Sequence, residues 1–249
     1  MIYFLSDIHL GSKALANPQE HQDRVVALLE SFRKDATAIY LMGDIFDFWF
    51  EYFWPTKSKL RRFGPFLAEL QSLTSQGVEV HFFTGNHDQW TFGQLARMSG
   101  VTVHYGPLTT NLSPLTSVFL AHGDEFCWEN HYQWLRKFFR CRVAQFIFRW
   151  MPPCLGDAIG FSWAAVSRRR ELVEPVEYKG ENNEALVLFA KEYSKIHPID
   201  YFIFGHRHIE LDLQIAAHSR VIILGDLFRQ GTYASMDNQG QLTLHNWDE

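Results

Sequence analysis

Cysteine, charge of one sign and long apolar runs are all scarce in this chain. Its 249 residues include three cysteines, Cys127, Cys141 and Cys154, an odd number without CxxC spacing. A disulfide framework is therefore excluded, and reduced thiols in the cytosol are expected. The net charge of −5 carries no broad basic excess, which argues against a nucleic-acid partner. No run of about 20 apolar residues exists, so nothing is expected to span a bilayer. The opening Met1-Ile2-Tyr3-Phe4-Leu5-Ser6-Asp7 has neither a basic n-region nor a cleavable apolar stretch, so no signal peptide is expected. What is present is apolar and aromatic. Apolar residues make up 47%, and 22 Phe and 8 Trp lift the aromatic share to 16%. That composition and length give a globular protein of one large or two small domains with a sizeable core.

Short apolar runs alternate with helical periodicity. Ile2 to Ser6, Ala38 to Met42 and Val78 to Thr84 read as buried strands. Between them, Gln19 to Asp35 and Lys57 to Gln76 carry apolar residues at helical spacing, and Gly77 stops the second helix. This βαβαβ rhythm predicts buried parallel strands with right-handed crossovers. A short helix is expected at Phe92 to Ser99. Strands follow at Val101 to Tyr105, Leu108 to Leu112 and Ser117 to Ala121, separated by Gly-Pro and Ser-Pro turns. After a largely helical, aromatic stretch, Asn182 to Ile196 reads as a helix and Asp200 to Phe204 as a strand. Closing strands are expected at Leu211 to Ala216, Val221 to Leu224, Thr232 to Met236 and Gln241 to His245. The fold class expected is α/β, a two-sheet sandwich flanked by helices with a helical cap insertion. Residues 1–124 and 180–249 would form the core and 125–179 the cap.

Five of the loops that follow strands carry metal-ligating residue types: Asp7 and His9, Asp44, Asn86, His122, and His206 with His208. Open α/β sheets bind ligands at the carboxyl ends of their strands. Taken singly, each residue reads as well as a helix cap or a hydrogen-bonded turn. Together, seven side chains with one shareable carboxylate suit two cations a few ångströms apart. Asp44 is the natural bridge, because a carboxylate offsets repulsion between the ions. Asp7, His9 and His208 would complete one site, and Asn86, His122 and His206 the other. Imidazole with carboxylate and amide oxygen suits Mn²⁺, Fe²⁺, Zn²⁺ or Co²⁺ better than Ca²⁺, and these donors do not choose among the four. Two such ions lower the pKa of a shared water and clamp phosphoryl oxygens during in-line displacement.

The motifs D-x-H, G-D-x-x-D, G-N-H-D, H and G-H-x-H, running from Asp7 to His208, resemble those of the calcineurin-like metallophosphoesterases. The resemblance implies the same ligand set, with two divalent ions for which Mn²⁺ is the expectation, and assigns His87 as an acid or transition-state stabiliser, oriented by Asp47. Such an imidazole would donate to the leaving oxygen as charge develops on it. Within the family, the length, the insert after His122-Gly123-Asp124 and the run Cys127, Tyr132, Gln133, Arg136 are similar to one branch. That branch cleaves the pyrophosphate of UDP-2,3-diacylglucosamine in lipid A biosynthesis, releasing UMP and 2,3-diacylglucosamine 1-phosphate (lipid X). It carries Arg where His87 stands and Glu where Asp47 stands, so these two positions follow the wider family. A soluble phosphoesterase acting on another nucleotide-type diester or diphosphate is the alternative.

The insert fits the lipid reading. Leu135, Phe138, Phe139, Val143, Phe146, Ile147 and Trp150 recur at helical spacing, interleaved with arginines, and Pro152-Pro153 is expected to end that helix. Leu155 to Ser167 predicts a second helix closing on Arg168-Arg169-Arg170. Basic, bulky-apolar helices suit a membrane interface. Near the metals, Phe46, Phe48, Trp49, Phe50, Tyr52, Phe53 and Trp54 would add an apolar wall. Substrate contacts are expected from Asn130, Arg168, Arg169 and Lys179. The expected partners are a lipid-linked nucleotide sugar and the inner-membrane surface, approached from the cytoplasm by a monomer.

Overall fold

The computed structural model describes residues 1–54, 57–127, 137–173 and 176–247, with the side chains of 57–58 and 167–173 outside the description. The chain opens with β1 (Ile2–Leu5), α1 (Pro18–Phe32), β2 (Ala38–Leu41), α2 (Lys57–Ser75) and β3 (Glu79–Phe83). Then come α3 (Gln94–Ser99), β4 (Thr102–His104), β5 (Leu108–Ser113) and β6 (Thr116–Ala121). A 3-10 turn at Asp124–Phe126 leads to α4 (Arg142–Arg149) and α5 (Pro153–Val173). The chain closes through α6 (Ala185–Ser194), β7 (Tyr201–Phe204), β8 (Glu210–Ala216), β9 (Ser219–Leu224), β10 (Thr232–Met236) and β11 (Leu242–Asn246).

The strands form two sheets, as the alternating apolar runs predict. One has the order β11-β10-β1-β2-β3-β4 and the other β5-β6-β7-β9-β8. Parallel pairing of β1, β2, β3 and β4 follows from the helical crossovers between them. The second sheet has a parallel centre, β6-β7-β9, with antiparallel strands on both edges.

Period-two alternation sorts the strand side chains into layers. Phe4, Tyr40 and Phe83 of the first sheet meet Val118, Leu120, Ile203, Ile222 and Leu224 of the second in a core between the sheets. Leu5, Ile39 and Leu41 point the other way, onto Val25 and Leu29 of α1 and Phe66 and Leu70 of α2. On the far side Phe119, Phe202 and Val221 pack against Leu186, Val187 and Ala190 of α6. Each such fully buried Phe, Leu or Ile stabilises the fold by about 1.5–3 kcal/mol relative to exposure. Helix α1 starts where Asn17 Oδ1 accepts from Glu20 N and Asn17 Nδ2 donates back to Glu20 Oε2, a reciprocal cap.

The insert differs from the expected pattern in two places. The periodicity from Leu135 to Trp150 predicts one helix, but the described part is helical at 137–139, turns at Arg140 and restarts as α4. Cys141 is extended there (φ −66°, ψ 118°). The Phe139 carbonyl is taken by Trp90 Nε1 and Gln145 Nε2, both at 3.0 Å, instead of continuing a helical ladder. Helix α4 ends just before Pro152-Pro153 as expected, and Pro153 also opens α5, because proline is well placed in a helix's first turn. Helix α5 then runs through Arg168, Arg169 and Arg170 to Val173 instead of stopping before them.

Helix α5 lies close against the aromatic loop that follows Asp47. A Cβ added at Gly156 would strike the Tyr52 ring, and one at Gly160 the Phe48 ring, so this approach requires glycine at both. Tyr52 donates its hydroxyl to Asp157 Oδ1 (3.0 Å) across the same contact. No helix among the described residues is long and apolar enough to cross a membrane.

Candidate metal centre

Loops at the carboxyl ends of β1, β2, β3, β6 and β7 converge on one buried cluster. The first two are zipped by their main chains: Asp7 N donates to Gly43 O (3.1 Å), His9 N to Asp44 O (3.0 Å) and Leu10 N to Ile45 O (2.9 Å). The first and last loops are joined because His206 N donates to Asp7 Oδ2 (2.9 Å). The third meets the second where His87 N donates to Asp44 Oδ1 (2.8 Å). Five cluster residues, Asp7, His9, Asp44, His206 and His208, hold left-handed backbone with φ between 49° and 65°. Non-glycine residues rarely adopt it, and each instance costs on the order of 1–3 kcal/mol. Gly85 and Gly205 make room for the cluster, since a Cβ at either would strike the carboxylate of Asp44 or Asp7 respectively.

The side chains face one another at ligand spacing. Asp7 Oδ1 lies 3.2 Å from His208 Nε2 and 3.7 Å from His9 Nε2. Asp44 Oδ2 lies 3.6 Å from His122 Nε2, 3.9 Å from His87 Nε2 and 4.0 Å from His9 Nε2. Asn86 Oδ1 stands 3.3 Å from His122 Nε2, and the His206 ring centres 5.2 Å from that of His122. Asp7, His9 and His208 offer one group of mutually close ligand atoms, Asp7, Asp44 and His122 a second, and His9, Asp44 and His87 a third. All seven expected ligands are thus brought to one place, and His87 comes with them.

The electrostatics suit cations. Burial opposes charge on Asp7, yet His208, His9 and His122 outweigh it and hold its carboxyl well below the ordinary value. Burial opposes charge on Asp44 too, and His87, His122 and His9 overcome it in the same way. Burial and repulsion by His122 push His206 down to about 4, leaving its imidazole neutral and able to ligate. Asp7 Oδ1 is fully buried with no well-formed hydrogen bond, a cost that a cation would remove. Several ring nitrogens are aimed by what holds the opposite edge: His122 Nδ1 faces Met42 O (2.9 Å), and His208 Nδ1 faces Asp226 Oδ2 (2.9 Å). These residues fit a divalent pair.

Asp47 lies beside His87. Its main-chain carbonyl faces His87 Nδ1 at 2.8 Å, while its carboxylate Oδ1 stands 3.6 Å from His9 Nδ1. Among the expected substrate contacts, Asn130 lies outside the described residues. Arg168 and Arg169 lie on α5, with their side chains outside the description. Lys179 is exposed.

Two functional carboxylates escape sequence reasoning. Asp88 is fully buried and accepts from Gly85 N (2.8 Å), Ile45 N (2.8 Å) and Phe46 N (3.3 Å), latching the second loop to the third. Burial, then the charge of Asp44, raises its pKa to about 7. Asp226 supports His208, and Oδ1 accepts from Arg229 N and Gln230 N. Its signal was the apolar run ending in Leu224-Gly225-Asp226, the same strand-then-Gly-Asp pattern as at Asp44.

Two sheets whose parallel strands end in a buried Asp/His cluster define a metal-dependent hydrolase. Residues 1–210 match the calcineurin-like phosphoesterase family, and the chain belongs to it. A UDP-2,3-diacylglucosamine hydrolase of Porphyromonas gingivalis is 39% identical over 95% of this chain and 94% of that protein. One from Aeromonas salmonicida is 30% identical over 92% of this chain and 87% of its own length. A dimetal phosphatase from Danio rerio aligns over 94% of this chain and 91% of that one, at 15% identity and a TM-score of 0.47.

Proposed function

We propose that this chain hydrolyses the diphosphate of UDP-2,3-diacylglucosamine, giving UMP and 2,3-diacylglucosamine 1-phosphate. What carries the reading is the relative of that name, 39% identical along nearly the whole chain. In this reading Asp7, His9 and His208 would hold one divalent ion and Asn86, His122 and His206 the other, with Asp44 available to both, Mn²⁺ being the expected metal. When bound, a divalent pair would supply Lewis acidity toward phosphoryl oxygens and make a water more acidic. His87 presents Nε2 to the same cluster, 3.9 Å from Asp44 Oδ2, and gives a proton to the departing phosphate oxygen. The Asp47 carbonyl, facing Nδ1, fixes the ring for that task.

Residues 125–179 form the cap over a core of 1–124 and 180–249, and the cap meets the lipid. Val143, Phe146, Ile147 and Trp150 follow an i, i+3, i+4, i+7 stripe and are 55–66% exposed. Leu155, Ile159, Trp163 and Val166 on α5 are 45–57% exposed. Apolar faces of this kind, flanked by Arg142 and Lys137, suit acyl chains and the inner-membrane surface on the cytoplasmic side. UMP release from UDP-2,3-diacylglucosamine in mixed micelles, measured beside hydrolysis of a water-soluble diester, tests the proposal. Comparable rates on both, without detergent dependence, would defeat it.

A further inference from the structure

Among the described residues, the cap brings the guanidinium of Arg140 to the metal loops. It sits in the turn before α4, and three contacts fix that turn. Trp90, three residues past His87, donates Nε1 to the Phe139 carbonyl (3.0 Å). The Phe139 ring meets Trp90 edge-on at 5.4 Å and Trp163 at 5.7 Å. From there Arg140 Nη2 reaches to 4.0 Å from Oδ2 of Asp124, which is 1% exposed and lies two residues past His122.

That contact is an ion pair but too long for a hydrogen bond. Arg140 Nε is buried and donates to nothing. A guanidinium carries five N–H groups in a planar fork, and leaving a buried one unused is costly. Arg207, which also borders the site, is by contrast engaged: Nε donates to Glu184 Oε1 (2.7 Å) and a terminal nitrogen to Glu184 Oε2 (3.2 Å). A fork held loosely by one carboxylate, with donors to spare, matches the non-bridging oxygens of a phosphate, which it can grip at two points.

We propose that Arg140 is a substrate-contacting residue that clamps the diphosphate on the His122 side of the metal centre, with Asp124 holding it in place until substrate displaces the pair. The inference rests on the phosphoester reading of the site and not on the acyl chains. Asp124 and Arg140 then oppose each other: Asp124 competes with the diphosphate for the fork.

The test uses a diphosphate that carries no lipid. Hydrolysis of bis(p-nitrophenyl) phosphate by the Mn²⁺-loaded enzyme is followed with UDP-N-acetylglucosamine as competitor. Arg140→Gln should raise the competitor's Ki by about tenfold and Arg140→Lys by less, because an ammonium keeps charge without the fork. Asp124→Asn should lower it. With UDP-2,3-diacylglucosamine as substrate, Arg140→Gln should raise KM more than it lowers kcat. Metal content measured in each variant should match the parent. Arg220→Gln, which removes an exposed cation paired with Asp212 on the β8–β9 hairpin, should leave Ki unchanged. An unchanged Ki in Arg140→Gln, or no competition in the parent enzyme, would overturn the proposal. So would a shift in the same direction for Arg140→Gln and Asp124→Asn, the mark of a tether between cap and core. If Ki shifts as expected but the acylated substrate is not cleaved, the substrate assignment falls and Arg140 keeps its role.

Discussion

His208 is held between two carboxylates: Nδ1 lies 2.9 Å from Asp226 Oδ2 and Nε2 lies 3.2 Å from Asp7 Oδ1. The first contact fixes the tautomer and the ring plane, so the second nitrogen is presented to the cluster without a search through rotamers. Asp226→Asn should therefore weaken divalent-metal affinity by about 10–100-fold while the protein stays folded. Competition against a chromophoric chelator measures this. Affinity equal to the parent's would remove Asp226 from the site.

Helix α5 and helix α2 each contain an internal glycine with opposite surroundings. Beside Gly160 stands the buried Phe48 ring, whereas a Cβ at Gly64 would meet nothing within 4 Å. Gly64→Ala has open space for its methyl, but Gly64 precedes Pro65, whose ring crowds a Cβ on the preceding helical residue, so the helix-propensity gain of about 0.5–1 kcal/mol is largely cancelled and stability should change little. Gly160→Ala gains the same term but forces α5 off the aromatic loop, at a cost of about 1–3 kcal/mol. Urea denaturation read by tryptophan fluorescence should show a clear loss of stability for Gly160→Ala and little change for Gly64→Ala.

Lys59 is the buried cation of the interface between α2 and the aromatic loop. Its Nζ lies 4.5 Å from the centre of the Trp49 ring and 5.1 Å from that of Tyr52, with no hydrogen bond. Burial pushes its pKa from 10.5 down to about 8, against the pull of Asp157 and Glu51. Between those two values the unfolded chain binds a proton that the folded one does not. Stability should therefore rise from pH 8 to pH 10.5, by a contribution of about 3 kcal/mol. Below pH 8 the folded protein carries the full burden of the buried charge. The parent curve minus that of Lys59→Met, from denaturant titrations across this range, should show the rise. A flat difference would mean the amine is solvated.

The exposed stripe on α4 can be tested without substrate. Replacing Val143 and Ile147 together by Ser removes apolar area that is mostly in water, so Tm should change little. Co-sedimentation with vesicles containing anionic lipid should fall several-fold. Undiminished sedimentation would place the lipid-binding face elsewhere.

Much of the sandwich is legible in the sequence because each buried strand is a short apolar run and each loop after it ends in a polar motif. Ile39 and Leu41 point one way and Tyr40 the other, and that alternation alone sorts the layers. The residues of the cluster were legible from their joint order along the chain. What holds them was not. Asp88 works through three main-chain N–H groups, and such contacts leave no spacing to read. Within the insert, helical periodicity runs unbroken past Arg140, and the helix breaks there where Trp90 and Gln145 take the Phe139 carbonyl. Gly156 and Gly160 show the same limit, since a glycine pair in a helix becomes meaningful once Tyr52 and Phe48 are seen beneath it.

The left-handed turns at Asp7, His9 and Asp44 are braced by the main-chain hydrogen bonds that zip the first two loops together. Such a pocket is a mould already set when its contents arrive. The emptied protein should stay folded through chelation and accept one divalent species after another. Which of them it carries in a cell is then a matter of supply as much as of affinity.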